Sequence, residues 1–175
     1  MREAYKGKGE EYQLFWPERA EFIRMAARFG ATIVPFAAVG VDDGLQIVVD
    51  AGELARAPVI GDAVRARAGA LPQARRGVAA GEEAESFVAP LAVPRLPPKR
   101  LYFLFQAPIE TAPEDMADRE RCDELYRQVK ASVQGGLAYL LEKREADPFR
   151  SFAPRALYEA ASGGRPAPTF DFQKK

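Results

Sequence analysis

The sequence contains no histidine in 175 residues. That removes the side chain most often used as a general base near neutral pH, and the commonest metal ligand. A single cysteine, Cys122, can form no internal disulfide and no cysteine-rich metal site. Lys plus Arg and Asp plus Glu both number 25, so neither sign of charge is in excess. Nucleic-acid binders draw much of their affinity from surplus Lys and Arg, so no nucleic-acid partner is expected. Long apolar runs are missing too. The longest, Ala31 to Val41, holds Pro35 and Gly40 and is too short to span a bilayer. Ser132, Ser151 and Ser162 lack a Gly-x-Ser-x-Gly elbow and a histidine partner, which excludes serine-hydrolase chemistry for the chain. The phosphate-cradling GxxxxGK[ST] pattern is absent as well. Met1 to Lys6 is too charged for a signal peptide, and no transit peptide is read in this chain.

What is present patterns as an α/β fold, a partial sheet flanked by helices. Trp16-Pro17-Glu18 opens a helix, since proline suits a first helical position. Phe22, Ile23, Ala26 and Phe29 supply its apolar stripe, and Gly30 its stop. Ala31 to Phe36 is short, β-branched and apolar, as a buried strand is, with Pro35 at its end or edge. Val41 to Gly44 reads as a turn, and Leu45 to Gly69 as one or two short helices broken near Pro58 and Gly61. From residue 70 to 99 a basic pair, an acidic cluster and then Pro90, Pro94, Pro97 and Pro98 predict a mobile excursion with little core. Leu101 to Phe105 is a second strand. Thr111-x-x-Glu114 resembles a capping box for a long helix reaching about Glu145. There Cys122, Leu125, Tyr126, Val129, Val133, Leu137 and Leu140 keep three-four spacing, interrupted by Gly135-Gly136. Asp147-Pro148 ends it. Residues 151–161 read as a short helix and 162–175 as a disordered tail.

Several stretches line up with one family: Lys8 to Tyr12, Leu14 to Glu18, Glu21 to Phe36, and Val39-Gly40 with Asp42-Asp43. Further on come Tyr102 to Phe105, Pro108 to Thr111, Ala138 to Glu145, and Asp147 to Arg150. On these residues the chain resembles the C-terminal part of the acyltransferase domain of the plastid phytyl ester synthases of plants and algae. That domain is similar to type 2 diacylglycerol acyltransferases. The resemblance makes residues 1–150 the C-terminal part of such a domain, with 70–99 as its excursion. It implies transfer of a fatty acyl group from an acyl-CoA or acyl carrier protein thioester to phytol or diacylglycerol, yielding phytyl ester or triacylglycerol. No cofactor or metal is implied. The implied setting is the chloroplast, at a plastoglobule or thylakoid, on a membrane or lipid-droplet surface.

The family's first motif block, His-x-x-x-x-Asp, supplies the base, and this chain has no histidine to match it. The second block is absent also. The third has a Gly-Gly pair before a run like Arg2-Glu3-Ala4, and the fourth is matched by Ile33-Val34-Pro35-Phe36. The expectation is therefore a truncated, split or decayed copy whose partner is the missing N-terminal half of the domain. No catalytic residue is assigned. The resemblance suggests Arg2 and Glu3 as substrate contacts, against an alternative reading as a frayed terminus. Lys6 and Lys8, between glycines, are candidates for the phosphates of an acyl carrier, against a solvated loop. A non-catalytic lipid-surface or regulatory subunit derived from the family is the competing reading for the whole chain. Trp16 and Cys122 read as packed core residues, and Asp42-Asp43 as a turn.

Overall fold

The computed structural model describes residues 6–16, 21–49, 51–58, 62, 91–97 and 99–170. The chain divides into two compact units, Met1–Glu11 with Leu45–Arg95, and Tyr12–Gly44 with Leu96–Lys175. Both mix helix with small antiparallel two-stranded sheets, so the α/β expectation holds.

The second unit opens on α1, Glu21–Arg28. Ile23 and Ala27, one turn apart, are its buried edge, while Phe22 and Phe29 are exposed. The expected stripe is thus rotated, because only one narrow side of this short helix meets the core. Gly30, at φ 55°, closes the helix, with its own N–H on Ala27 O and the N–H of Ala31 on Ala26 O. That paired closure needs a left-handed residue, which glycine adopts without steric cost.

The strand expected at Ala31 to Phe36 lies later, as β1, Phe36–Val39. It pairs antiparallel with β4, Tyr102–Phe105, with Phe36 opposite Phe105 and Val39 opposite Tyr102. Pro35, just before β1, gives up no ladder donor. Its carbonyl accepts from the N–H of Gln106 at 2.9 Å. An Ile33–Ile109 bridge and the Thr111 hydroxyl on Ala31 O, at 2.7 Å, extend the pairing. Alternation sends Ala37, Val39, Tyr102 and Leu104 inward and Phe36, Phe103 and Phe105 outward.

The inner face is covered by α3, Arg119–Ala146. Its buried positions are Cys122, Leu125, Tyr126, Val129, Val133, Gly136 and Leu140, nearly the expected stripe. The helix starts later than expected. Thr111 is spent on Ala31, a 3₁₀ turn occupies Pro113–Met116, and Asp118 caps α3 by accepting from the N–H of Arg121. Gly135-Gly136 does not break it. A Cβ at Gly136 would sit 3.0 Å from Ala37 Cβ, so glycine there lets α3 lie close against β1. Cys122 is buried, with its thiol on Asp115 O and its pKa raised by burial. Trp16 packs edge-on to Phe22 and against Tyr126, as a core anchor.

After α3 comes α4, Phe152–Ala161. The segment beyond it is docked as far as Phe170. Ala167 is buried, and the Phe170 ring stacks on Tyr102 at 5.8 Å.

In the first unit, Leu45–Val49 forms a strand, β2, where short helices were expected. It pairs antiparallel with β3, Leu91–Pro94, with an irregularity between Ile47 and Val49. Val48 and Val49 are β-branched, and strand geometry suits them. Helix α2, Ala51–Arg56, falls within the expected helical stretch. The excursion read over 70–99 ends on β3. Its part from 70 to 90 lies outside the described residues.

Candidate functional site

The functional geometry of the second unit centres on Tyr12. Its backbone is left-handed, φ 64°, an unfavourable conformation for a bulky side chain. Four hydrogen bonds hold it there. Its N–H donates to Asp42 Oδ2 at 2.8 Å, and its hydroxyl donates to Asp43 Oδ2 at 2.7 Å. The same hydroxyl accepts from the Gly40 N–H and from an Arg144 guanidinium N–H, both at 3.0 Å. Asp42 and Asp43 are therefore a turn that grips this tyrosine. Burial, and then the bond to Asp43, push the phenol up to about 12. Arg144 also pairs with Asp43 and lies over the Tyr12 ring. Burial opposes its charge, but the Tyr12 and Asp43 oxygens outweigh that, so the guanidinium is held protonated.

A second knot ties the end of α3. Asp147, almost wholly buried, pairs with Arg100 at 3.1 Å and accepts from the Tyr102 hydroxyl at 2.6 Å and the Phe149 N–H at 2.7 Å. Arg100 reaches on to the carbonyls of Ala167 and Pro168. Burial and the Asp147 bond raise the Tyr102 phenol well above its ordinary range.

Beside the knots lies a cavity of about 280 Å³, lined by Lys99, Arg100, Arg144 and Arg150, with Asp43, Glu145 and Ser151. A more open groove of about 400 Å³ has a more apolar lining, Leu14, Leu137, Ala138 and Leu141 among it. Tyr12 joins the two. It lines the groove, and its hydroxyl bonds Asp43 and Arg144 in the cavity wall. A cationic cavity beside an apolar groove can hold an amphiphile with an anionic head.

Of the sequence-predicted contacts, Arg2 and Glu3 lie outside the described residues. Lys6 and Lys8 belong to the first unit, where the Lys8 ammonium pairs with Glu53 at 2.6 Å. Sequence reading passed over Tyr12, Arg100, Arg144, Asp147 and Arg150 as site residues. Tyr12, Arg144, Asp147 and Arg150 lie inside the stretches that carry the family resemblance, which was the one signal available. Among the described residues no helix is long and apolar enough to cross a membrane, and no cluster of acidic, histidine or cysteine side chains could hold a metal ion.

Comparison with known proteins bears out the resemblance. The chain is 43% identical over 174 residues, 98% of its length, to phytyl ester synthase 2, chloroplastic, of Arabidopsis thaliana. It is 46% identical over 164 residues, 90% of its length, to phytyl ester synthase 1, chloroplastic, of the same plant. The match falls in the C-terminal part of these relatives, and the chain spans only about a quarter of their length. No known family profile matches the chain, and no solved structure does.

Proposed function

We propose that this chain is the C-terminal part of a lipid O-acyltransferase that moves a fatty acyl group from a thioester donor to the hydroxyl of phytol or diacylglycerol. The observation that carries this reading is 43% identity across 98% of the chain to a protein named a phytyl ester synthase. The chloroplastic designation of both relatives supports a chloroplast setting, where a plastoglobule or thylakoid surface would present the lipid alcohol.

On this reading the chain supplies framework and substrate contacts, while the proton-abstracting base comes from a histidine block outside the sequence, which has no histidine. Arg2, Glu3, Lys6 and Lys8 are the proposed contacts in the first unit. The Lys8–Glu53 pair is solvent-exposed, so exchanging it for a substrate anion costs about 1 kcal/mol or less. The test is an assay with labelled acyl-CoA or acyl carrier protein, phytol and diacylglycerol. It compares this chain with a version joined to the upstream part of a phytyl ester synthase. Ester formation by the joined form alone, abolished by changing its block histidine to alanine, supports the reading. Equal rates from the short chain alone would refute it.

The lack of histidine also favours a second reading, a non-catalytic lipid-surface or regulatory subunit of the same descent. A joined form that stays inactive while the short chain alters the activity of an intact synthase would select it.

A further inference from the structure

The cavity at the C-terminal end of α3 carries more cationic than anionic side chains. Asp43 answers Arg144, Glu145 answers Arg150, and buried Asp147 answers Arg100. Lys99 makes no ion pair among the described residues, and its exposed ammonium is unmatched. The Arg150–Glu145 pair is itself largely exposed and therefore exchangeable. Arg100 spends two of its nitrogens on Asp147 and the Ala167 and Pro168 carbonyls, and Arg144 hydrogen-bonds Tyr12 and Asp43 through one nitrogen while its Nε lies 3.9 Å from Glu145. A guanidinium has five N–H donors, so both keep donors to spare.

Ser151 adds a further donor. It caps α4 yet makes no side-chain capping bond, and it lines the same cavity. Donors at the cavity thus come from three segments: residues 99–100, residue 144, and residues 150–151.

We propose that this cavity binds a phosphoryl group, specifically that of the pantetheine arm of the acyl-thioester donor. This rests on the acyltransferase reading for the donor's identity. The cavity itself selects the chemistry. Donors converging from separate segments fit a tetrahedral group with several acceptor oxygens better than a planar carboxylate with two, and arginine forks favour phosphate oxygens. At about 280 Å³ the cavity lies just below the range of pockets that enclose whole drug-sized ligands, so it takes a head group and not an acyl chain. The adjoining groove with Leu14, Leu137 and Leu141 gives the arm an apolar wall across the Tyr12 ring.

The test is calorimetric titration of the full chain with pantetheine, 4′-phosphopantetheine, inorganic phosphate and phosphatidylglycerol vesicles. The variants are Lys99→Gln with Arg150→Gln, and Arg127→Gln as an exposed basic control on α3, with thermal melts confirming the fold. The expected result is binding of 4′-phosphopantetheine but not pantetheine, weakened about tenfold or more in the double variant and unchanged in Arg127→Gln. Indifference to the phosphate, equal losses in both variants, binding to vesicles alone, or no binding at all would overturn the proposal. The acyltransferase reading stands or falls separately. Phosphopantetheine binding without acyl transfer by the joined form would sink that reading and leave the cavity assigned.

Discussion

Adjacent glycines in α3 separate two effects of one substitution. Gly135 is exposed, and a Cβ there would touch nothing within 4 Å. Gly135→Ala should therefore gain the helix propensity alone, about 1 kcal/mol. Gly136→Ala gains the same propensity but forces a Cβ to 2.7 Å from Gln106 Nε2 and 3.0 Å from Ala37 Cβ. Gln106 is bonded both ways to Ser132, so moving it costs those bonds, and crowding adds about 1–3 kcal/mol. Thermal melts should rank Gly135→Ala above the parent and Gly136→Ala below it. The reverse order would show that the close approach of α3 to β1 is not held by glycine. Tyr12 offers a second residue-scale test. Its folded pKa, about 12, stands above the ordinary phenol value of 10. A raised pKa means the folded state holds its proton more tightly, so the stability it adds is complete below pH 10 and is lost as pH rises through 12. Phenolate absorbance should show Tyr12 ionising late, and Tyr12→Phe should remove part of the late component and leave the share due to Tyr102. A Tyr12→Phe curve identical to the parent's would refute the assignment. None of this was readable from local sequence, because the partners of Tyr12 lie 28 to 132 residues away.

At the scale of elements, legibility followed how much of an element's fate is local. Helix α3 was readable because its core positions repeat over many turns, and Gly30 because the Schellman closure involves only neighbours. The strand after it was displaced by a few residues, since pairing with Tyr102–Phe105, far along the chain, decides where the ladder begins. Leu45–Val49 was missed for the same reason: a short apolar run pairs as strand only because Leu91–Pro94 arrives beside it. The segment after α4 reads as a tail because chain ends fray unless something ties them down, yet Arg100 holds its carbonyls from a distance. That arrangement makes Asp147 the keystone joining α3, β4 and the docked segment. Asp147→Ala leaves the Arg100 guanidinium, which is mostly buried, without its carboxylate, and should cost about 3–5 kcal/mol. Chymotrypsin should then cut after Phe170 well before it cuts within α3. A variant with unchanged cleavage order would mean that Phe170 stacking alone docks the segment.

Among the described residues, one face of the β1–β4 sheet is left uncovered. Helix α3 shields Ala37, Val39 and Tyr102, while Phe36, Phe103 and Phe105 on the other side are 53%, 56% and 70% exposed. Phe36 and Phe105 stack on each other at 5.8 Å, which joins them into one patch and not scattered apolar residues. Each strand of this two-stranded sheet also keeps one edge without a partner strand among the described residues. Apolar patches and unpaired edges both favour association between copies, the first by the hydrophobic effect and the second by ladder hydrogen bonds. The net charge of zero offers no overall repulsion to oppose it. The purified chain is therefore expected to associate as its concentration rises, seen in sedimentation velocity as a growing fraction heavier than the 19.2 kDa monomer. Replacing Phe103 and Phe105 by serine should shift the distribution to monomer while leaving the melt nearly unchanged, because neither ring contributes to the face under α3. Raised salt separates the driving forces: hydrophobic association should persist or strengthen, whereas charge pairing would weaken. A parent chain that stays monomeric at every concentration would mean that another part of the molecule already covers the phenylalanine face.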